Sequence, residues 1–210
     1  GMKITVRQAT LASTRADAIV VGVHSGTRKL SGENAAVDRA CGGAIREALG
    51  YEDFKGEVGQ CVFVPPGKAA ARRVLIVGLG EKKKFDAAAS RTAAATAALC
   101  CRDARLTNLA FAATDAAVTD AMAEGLAMAN YDPGLHMTRD KDKRAPLLVK
   151  ATFCVADKVA GVRARVARGL ALGAGVNFSR DLVNEPSNCL TPTAMANRAK
   201  AMARQFDTLT

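Results

Sequence analysis

The feature that most restricts what this chain can fold into is the unbroken apolar run Ala18-Ile19-Val20-Val21-Gly22-Val23. A strand with one face in water alternates apolar and polar residues, so a run without alternation predicts a strand buried on both faces. Downstream, apolar residues fall at Val37, Cys41, Ile45 and Leu49 and at Ala40, Ala44 and Ala48. That 3.6-residue stripe predicts one helix over 33–49 lying on a sheet and ended by Gly50. A strand that must be covered twice, followed by a helix able to cover it, already points to an α/β domain.

The alternation continues along the chain. Ile4, Val6 and Ala9-Thr10-Leu11 predict an opening strand, and 58–64 and 73–77 predict two more, separated by Pro65-Pro66-Gly67. Prolines without N–H groups and a permissive glycine favour a turn there. Residues 86–103 predict an alanine-rich helix, 106–112 a strand, 114–129 a helix capped by Thr114 or Asp115, and 147–155 a strand. From Asp157 a single long helix is expected, with Val159, Val162, Val166, Leu170 and Gly173 on one stripe, running toward Leu182. Pro186 then pushes Glu185 out of helical geometry. Thr191 as N-cap and Pro192 at the first helical position open a further helix. The expected architecture is therefore α/β, a mixed sheet flanked by helices and followed by a long linker helix. The 43 alanines suit it, because small side chains let helices approach a sheet closely.

Composition removes several classes of function. With 49% hydrophobic and 24% charged residues, wholesale disorder is excluded. No apolar run approaches the roughly 20 residues that cross a bilayer, and the start Met2-Lys3-Ile4, preceded by an added Gly1, lacks the pattern of a signal peptide. A cytoplasmic protein without membrane contact is expected. The net charge of +10 is concentrated in residues 139–168, which carry 9 basic and 3 acidic side chains. With no Trp and two Tyr, a base-stacking surface for single strands is disfavoured. The stretch suggests phosphate contact at most, with Lys141, Lys143 and Arg144 as candidate DNA contacts, and a solvated face as the plainer reading.

No self-contained catalytic constellation emerges. Cys41, Cys61, Cys100, Cys101, Cys154 and Cys189 are scattered without a C-x-x-C pair, so reduced, mostly buried thiols and no zinc site are expected. His24 and His136 have no Ser or Cys in a nucleophile motif beside them. Asp17-Ala18-Ile19-Val20 resembles ADP-ribose-binding macro domains, in which an aspartate before the second strand can meet adenine. The following residues, Val21-Gly22-Val23-His24 and Leu30-Ser31-Gly32-Glu33-Asn34, depart from that pattern. Glu33 in particular would place a negative charge where a pyrophosphate needs helix N–H groups. Gly78-Leu79-Gly80 reads as a strand end, and Lys82-Lys83-Lys84 as a solvated loop.

One segment is far more specific. Arg180-Asp181-Leu182-Val183-Asn184-Glu185-Pro186-Ser187-Asn188-Cys189-Leu190-Thr191-Pro192 closely resembles the R-D-L-V-N-E-P-x-N-x-L-T-P run that opens the catalytic domain of cytosolic leucyl aminopeptidases. Lys29-Leu30-Ser31-Gly32, Phe54-Lys55-Gly56-Glu57-Val58-Gly59, Val77-Gly78-Leu79-Gly80 and the run from Glu124-Gly125 to Asn130-Tyr131 are similar to features of that family's N-terminal domain.

The resemblance implies a macro-domain-like N-terminal domain over 2–156, a linker helix over 157–183, and the opening segment of a peptidase domain over 184–210. In such enzymes two divalent ions, zinc or manganese, polarise the scissile carbonyl and activate a bridging water, and the subunits typically form hexamers. The lysine and clustered carboxylates that bind those ions belong to motifs not found in residues 1–210, so no catalytic or metal residue is assigned. Asp181 and Glu185, four apart, are expected to serve helix-end polarity or a hydrogen bond to the interdomain turn. A helix begun after a linker with nothing further to pack on suggests a fragment. Its natural partner would be its own C-terminal catalytic domain, and its role positional. The alternative is a stand-alone binding module for DNA phosphates or an ADP-ribose-like nucleotide.

Overall fold

The chain was analysed as a computed structural model, which describes residues 2–113, 116–134, 144–157 and 159–206. The apolar run forms the middle of strand β2 (Ala16–Val23), the inner strand on which the sheet is built. It pairs in parallel with β4 (Ala71–Gly78) on one side and β5 (Asn108–Ala112) on the other, so that Ile19 lies opposite Val74 and Ala110. Beyond β5 come β6 (Lys150–Val155) and then β1 (Lys3–Gln8), both parallel. The short β3 (Cys61–Val64) closes the opposite edge, antiparallel to β4, and the order is β1-β6-β5-β2-β4-β3.

Side chains alternating along β2 enter two separate cores. Ile19, Val21 and Val23 join Val37, Ile45 and Ala48 of α1 (Gly32–Ala40) and α2 (Ala44–Ala48) on one face. Ala18 and Val20 join Leu75, Val77, Phe111 and Phe153 on the other, under α3 (Ala87–Asp103), α4 (Ala116–Ala129) and the first half of α5 (Val159–Asn184). The expected mixed sheet with helices on both faces is what the chain forms.

Several elements differ from the sequence expectation: β1 stops at Gln8 short of Leu11, and β6 starts at Lys150 instead of Leu147. The helix over 33–49 is two helices, broken where Gly42 (φ +68°) and Gly43 (φ +90°) take left-handed backbone conformations open to glycine. The apolar stripe hides this break, since Val37, Cys41 and Ile45 reach the same core from either side of it. The strand expected from 58 begins only at Cys61. Gln60 folds the preceding residues into a turn, its Oε1 accepting from the N–H groups of Lys55 (2.9 Å) and Glu57 (3.0 Å).

The cap expected at Thr191 forms, while Thr114 and Asp115, expected to cap the helix over 114–129, lie outside the described residues. Asp86 accepts from Ala89 N at 2.8 Å to start α3. Thr191 accepts from Ala194 N at 3.2 Å, with Pro192 as the first residue of α6 (Pro192–Ala203).

The long helix α5 is fastened to α4 along its first half. Val162, Val166, Gly169 and Gly173 are its buried residues. A Cβ on Gly169 would lie 2.0 Å from the Asp120 carbonyl oxygen, and one on Gly173 2.6 Å from Ala127 Cβ. Glycine here lets the two backbones touch. Arg165 and Arg168 add ion pairs to Asp120, each at 3.5 Å. Beyond Gly173 the helix stands increasingly in solvent, with Val183 83% exposed, and α6 has no buried residue. Among the described residues, no helix is long and apolar enough to cross a membrane.

This geometry separates two kinds of glycine in one helix. Gly169→Ala meets a backbone carbonyl that cannot rotate away, and overpacking of about 1–3 kcal/mol outweighs the helix-propensity gain of about 1 kcal/mol. Gly161 and Gly175 face open space, so replacing either with alanine should stabilise by about 0.5–1 kcal/mol. Urea denaturation followed by circular dichroism should rank Gly161→Ala and Gly175→Ala above the parent and Gly169→Ala below it. Equal midpoints for all three would contradict the close α4–α5 contact.

Candidate functional site

Two places in the fold gather polar side chains. The first is a cleft of about 600 Å³ at the C-terminal ends of β2, β4 and β5. The connection leaving β2 passes to the α1–α2 face, whereas that leaving β4 passes through α3 on the other face, and the crevice between such diverging crossovers is left unfilled. Its floor is Val20, Val77, Ala93, Ala94 and Phe111, and its rim holds the start of α1, His24, Lys82 and Phe85. Asn34 Nδ2 donates to Gly22 O at 2.8 Å, pinning the start of α1 over the end of β2. His24 Nδ1 lies 3.1 Å from Gly80 O and its ring meets Phe85 edge-on at 5.1 Å. Glu33 is turned aside, its Oε2 accepting from Leu11 N at 2.7 Å.

Asp17 is not in this cleft. It sits at the opposite end of β2, five residues and about 16 Å of strand from Gly22. Its Oδ2 accepts from Thr107 N (2.9 Å) and Asn108 N (3.0 Å), tying β2 to the start of β5. The comparison of Asp17 with an adenine-contacting aspartate therefore fails on position, because ligands of open parallel sheets bind outside the carboxyl ends of the strands.

The second place is the junction formed by the end of α5, the turn after it and α6. The Arg180 guanidinium stacks 4.2 Å over the Tyr131 ring, and its Nη1 donates to Met128 O at 2.9 Å. Asn184 Nδ2 donates to the Tyr131 hydroxyl at 3.0 Å. Past the Pro186 break, Arg198 Nη2 of α6 donates to Glu185 Oε1 at 2.6 Å. This bond, with Asp181 nearby, raises the Arg198 pKa, so its charge is held. Asp181 and Glu185 line one small pocket with Tyr131, Phe178 and Asn184. The two acids line the same pocket, and the Arg198 guanidinium lies there with them, bonded to Glu185. Two motif fragments about fifty residues apart, one ending in Tyr131 and one beginning at Arg180, thus form a single junction. Arg102 supports it from α3, donating to the carbonyls of Ala129 and Tyr131. Sequence reading missed Arg102, since one arginine near the end of an alanine-rich helix carries no signal of what it will reach.

Residues 20–134 match the model of the cytosol aminopeptidase family, N-terminal domain. The chain belongs to the cytosol aminopeptidase family. It is 34% identical over 175 residues to a probable cytosol aminopeptidase of Acidobacterium capsulatum, covering 80% of this chain and 34% of that one. It is 33% identical over 209 residues to a protein of the same description from Solibacter usitatus, covering 98% and 40%. A structure of a tomato leucine aminopeptidase mutant superposes with a TM-score of 0.78 over 98% of this chain and 42% of that one, and at 20% identity this is a likeness of fold. The bottromycin maturation enzyme BotP, in complex with Mn, gives a TM-score of 0.65 at 29% identity, covering 90% and 36%. The chain thus spans well under half the length of these relatives.

Within this cytosol aminopeptidase chain, the remaining candidates resolve as follows. Among the described residues, no group of three or more His, Cys, Asp or Glu side chains converges as a metal site. Arg144 pairs with Asp132 at 3.3 Å, while Lys141 and Lys143 lie outside the described residues, as does His136. The basic stretch thus finds part of its acidic counterpart, Asp120 and Asp132, inside the chain.

The cysteine expectation needs correcting at one pair. Cys61 of β3 and Cys100 of α3 are joined by a disulfide. They are 39 residues apart, and only the packing of α3 beside the sheet edge brings them together. Cys41, Cys101 and Cys154 are free and buried, and Cys189 is exposed. Burial, with a smaller contribution from Asp17, pushes the Cys101 thiol from 9.0 up to about 12. The folded thiol therefore stays neutral where the unfolded one ionises. Stability from this group is intact below pH 9 and is lost as pH rises from about 9 toward 12, by at most about 4 kcal/mol. Urea midpoints measured from pH 8 to 11 should fall less steeply for Cys101→Ala than for the parent. Parallel slopes would mean that Cys101 does not titrate as buried.

Proposed function

We propose that this chain is the N-terminal domain and opening catalytic-domain segment of a metal-dependent aminopeptidase, a cytoplasmic hydrolase that removes residues from peptide N-termini, and that by itself the chain is non-catalytic. The observation that carries the reading is the family match over residues 20–134, together with relatives more than twice as long. The names of those relatives support both the activity and the compartment. BotP's complex with Mn supports metal dependence of the longer protein, where two divalent ions, zinc or manganese, would polarise the scissile carbonyl and activate water.

Among the described residues of this chain, no set of side chains fits such a pair of ions. Two ions close together need several converging carboxylates, whereas the only described carboxylates lining the pocket at the end of α5 are Asp181 and Glu185, and Glu185 is already paired with the cation Arg198. No chemical step is therefore placed on the described residues. The unit 2–156 acts as a macro-domain-like body, 157–183 as the linker helix, and 184–210 as the start of the peptidase domain.

The chain's role is positional. The second half of α5 and all of α6 present Val183, Met195 and Met202 to solvent, and Phe206 follows, an arrangement suited to cover by a catalytic domain and to assembly as a hexamer. The alternative, contact with DNA phosphates through Lys141, Lys143 and Arg144, gains no support from the relatives, which are named as aminopeptidases.

With leucine p-nitroanilide and added manganese or zinc, the 210-residue chain is expected to show no turnover above the metal blank. A longer form of family length should hydrolyse it and lose activity to a chelator. Chelator-sensitive turnover by the 210-residue chain alone would overturn the non-catalytic reading.

A further inference from the structure

The Cys61–Cys100 bond has no part in peptide hydrolysis as proposed above. A reducing cytoplasm keeps thiols reduced, and a disulfide found there is usually transient, catalytic or redox-sensing. The remaining cysteines leave this pair isolated. Cys41, Cys101 and Cys154 are buried and Cys189 stands on the turn after α5, whereas Cys61 and Cys100 are both half-buried, so a small thiol can reach their sulfurs. Cys101, the immediate neighbour, does not take over the bond, since burial keeps its thiol neutral and only a thiolate attacks a disulfide.

What the bond holds is the last turn of α3. Helix residues two apart project about 200° from each other, so Cys100 and Arg102 leave nearly opposite sides of that turn. On one side Cys100 is tied to Cys61, the first residue of the four-residue edge strand β3. On the other, Arg102 Nε donates to Pro146 O at 3.1 Å and its Nη1 donates to Ala129 O and Tyr131 O. Tyr131 in turn lies under the Arg180 guanidinium and accepts from Asn184 Nδ2. A guanidinium serving three carbonyls tolerates little displacement, because hydrogen bonds weaken steeply with lost alignment. One helical turn thus connects the disulfide to the junction at which α5 ends.

We propose that the Cys61–Cys100 pair is a reversible redox switch for this junction: the oxidised pair holds Arg102 against Ala129 and Tyr131, and reduction releases the last turn of α3 and loosens the contacts of Arg180 and Asn184. Its exchange partner is a small thiol of the glutathione class. To form the bond, one cysteine thiolate attacks oxidised glutathione and expels a first glutathione thiolate. The second cysteine thiolate then attacks the mixed disulfide and expels the other, so two electrons pass from the protein to the glutathione pair. Reduction is the same sequence reversed. The proposal rests on the cytoplasmic reading above, because a reducing pool is what makes the bond reversible.

The test equilibrates the 210-residue chain with reduced and oxidised glutathione at ratios spanning the cytosolic range. The bond is read by alkylation and mass spectrometry, and amide hydrogen exchange is followed over 128–131 and 180–190. Half-reduction within that range is expected, and on reduction exchange in both segments should rise at least about threefold while β2 and β5 stay protected, which separates a loosened junction from a lost fold. Arg102→Gln should still form the disulfide, yet show the faster exchange in both redox states and no response to the ratio. Cys61→Ser should match the reduced parent at every ratio. Equal exchange over 180–190 in the oxidised and reduced parent would overturn the switch and leave the cytoplasmic reading untouched. A pair that stays oxidised at every ratio would overturn it as a permanent staple, a result that also counts against the cytoplasmic reading. A pair that oxidised glutathione never closes would overturn it too.

Discussion

Burial of β2 on both faces is the constraint from which the rest of the domain follows. Ile19 and Val21 are fully buried on one side and Ala18 on the other, each large side chain contributing about 1.5–3 kcal/mol when removed from water. Its parallel neighbours β4 and β5 satisfy its backbone groups. Parallel pairing cannot be made by hairpins, so every such pair needs a crossover, and the crossovers supply the helices that cover the two faces. The alanines of α3 and α4 set how near those helices lie.

The same constraint creates the cleft and disposes of Asp17. Because the connections from β2 and β4 leave toward opposite faces, the strand ends between them stay uncovered at the carboxyl edge only. Asp17, at the amino edge, is left to receive the first N–H groups of β5, a structural task. Toward the other end of the chain, glycines decide the geometry. Gly125 of α4 would bring a Cβ to 2.2 Å from Arg91 O, and Gly169 of α5 makes an equally close approach to α4. These contacts stack α3, α4 and α5 so that Tyr131, at the end of α4, meets Arg180 and Asn184. A long helix read as a connector is in its first half a part of the covering layer.

What could be read in advance was local. The β2 run, the cap Thr191, Pro192 at its helix start and the Pro186 break each act through residues a few positions away, so their outcome is visible in a short window. The same holds for the family resemblance at 180–192, a contiguous string. The failures were of two kinds. Gly42-Gly43 and Gln60 are local features masked by a stronger periodic pattern, as when the apolar stripe ran on through a break in the helix. The Cys61–Cys100 bond and the reach of Arg102 depend on which elements become neighbours, which no spacing encodes.

The sequence by itself determined the α/β class, the helix start at Thr191 and the family, because hydrophobic period, capping chemistry and a thirteen-residue motif are properties of adjacent residues. Only the tertiary structure decided that Glu33 turns its charge toward Leu11, that Asp17 faces away from the cleft, and that Arg198 stands beside Glu185. Those outcomes are set by crossover direction and helix packing, and the groups involved lie 13 to 90 residues apart along the chain.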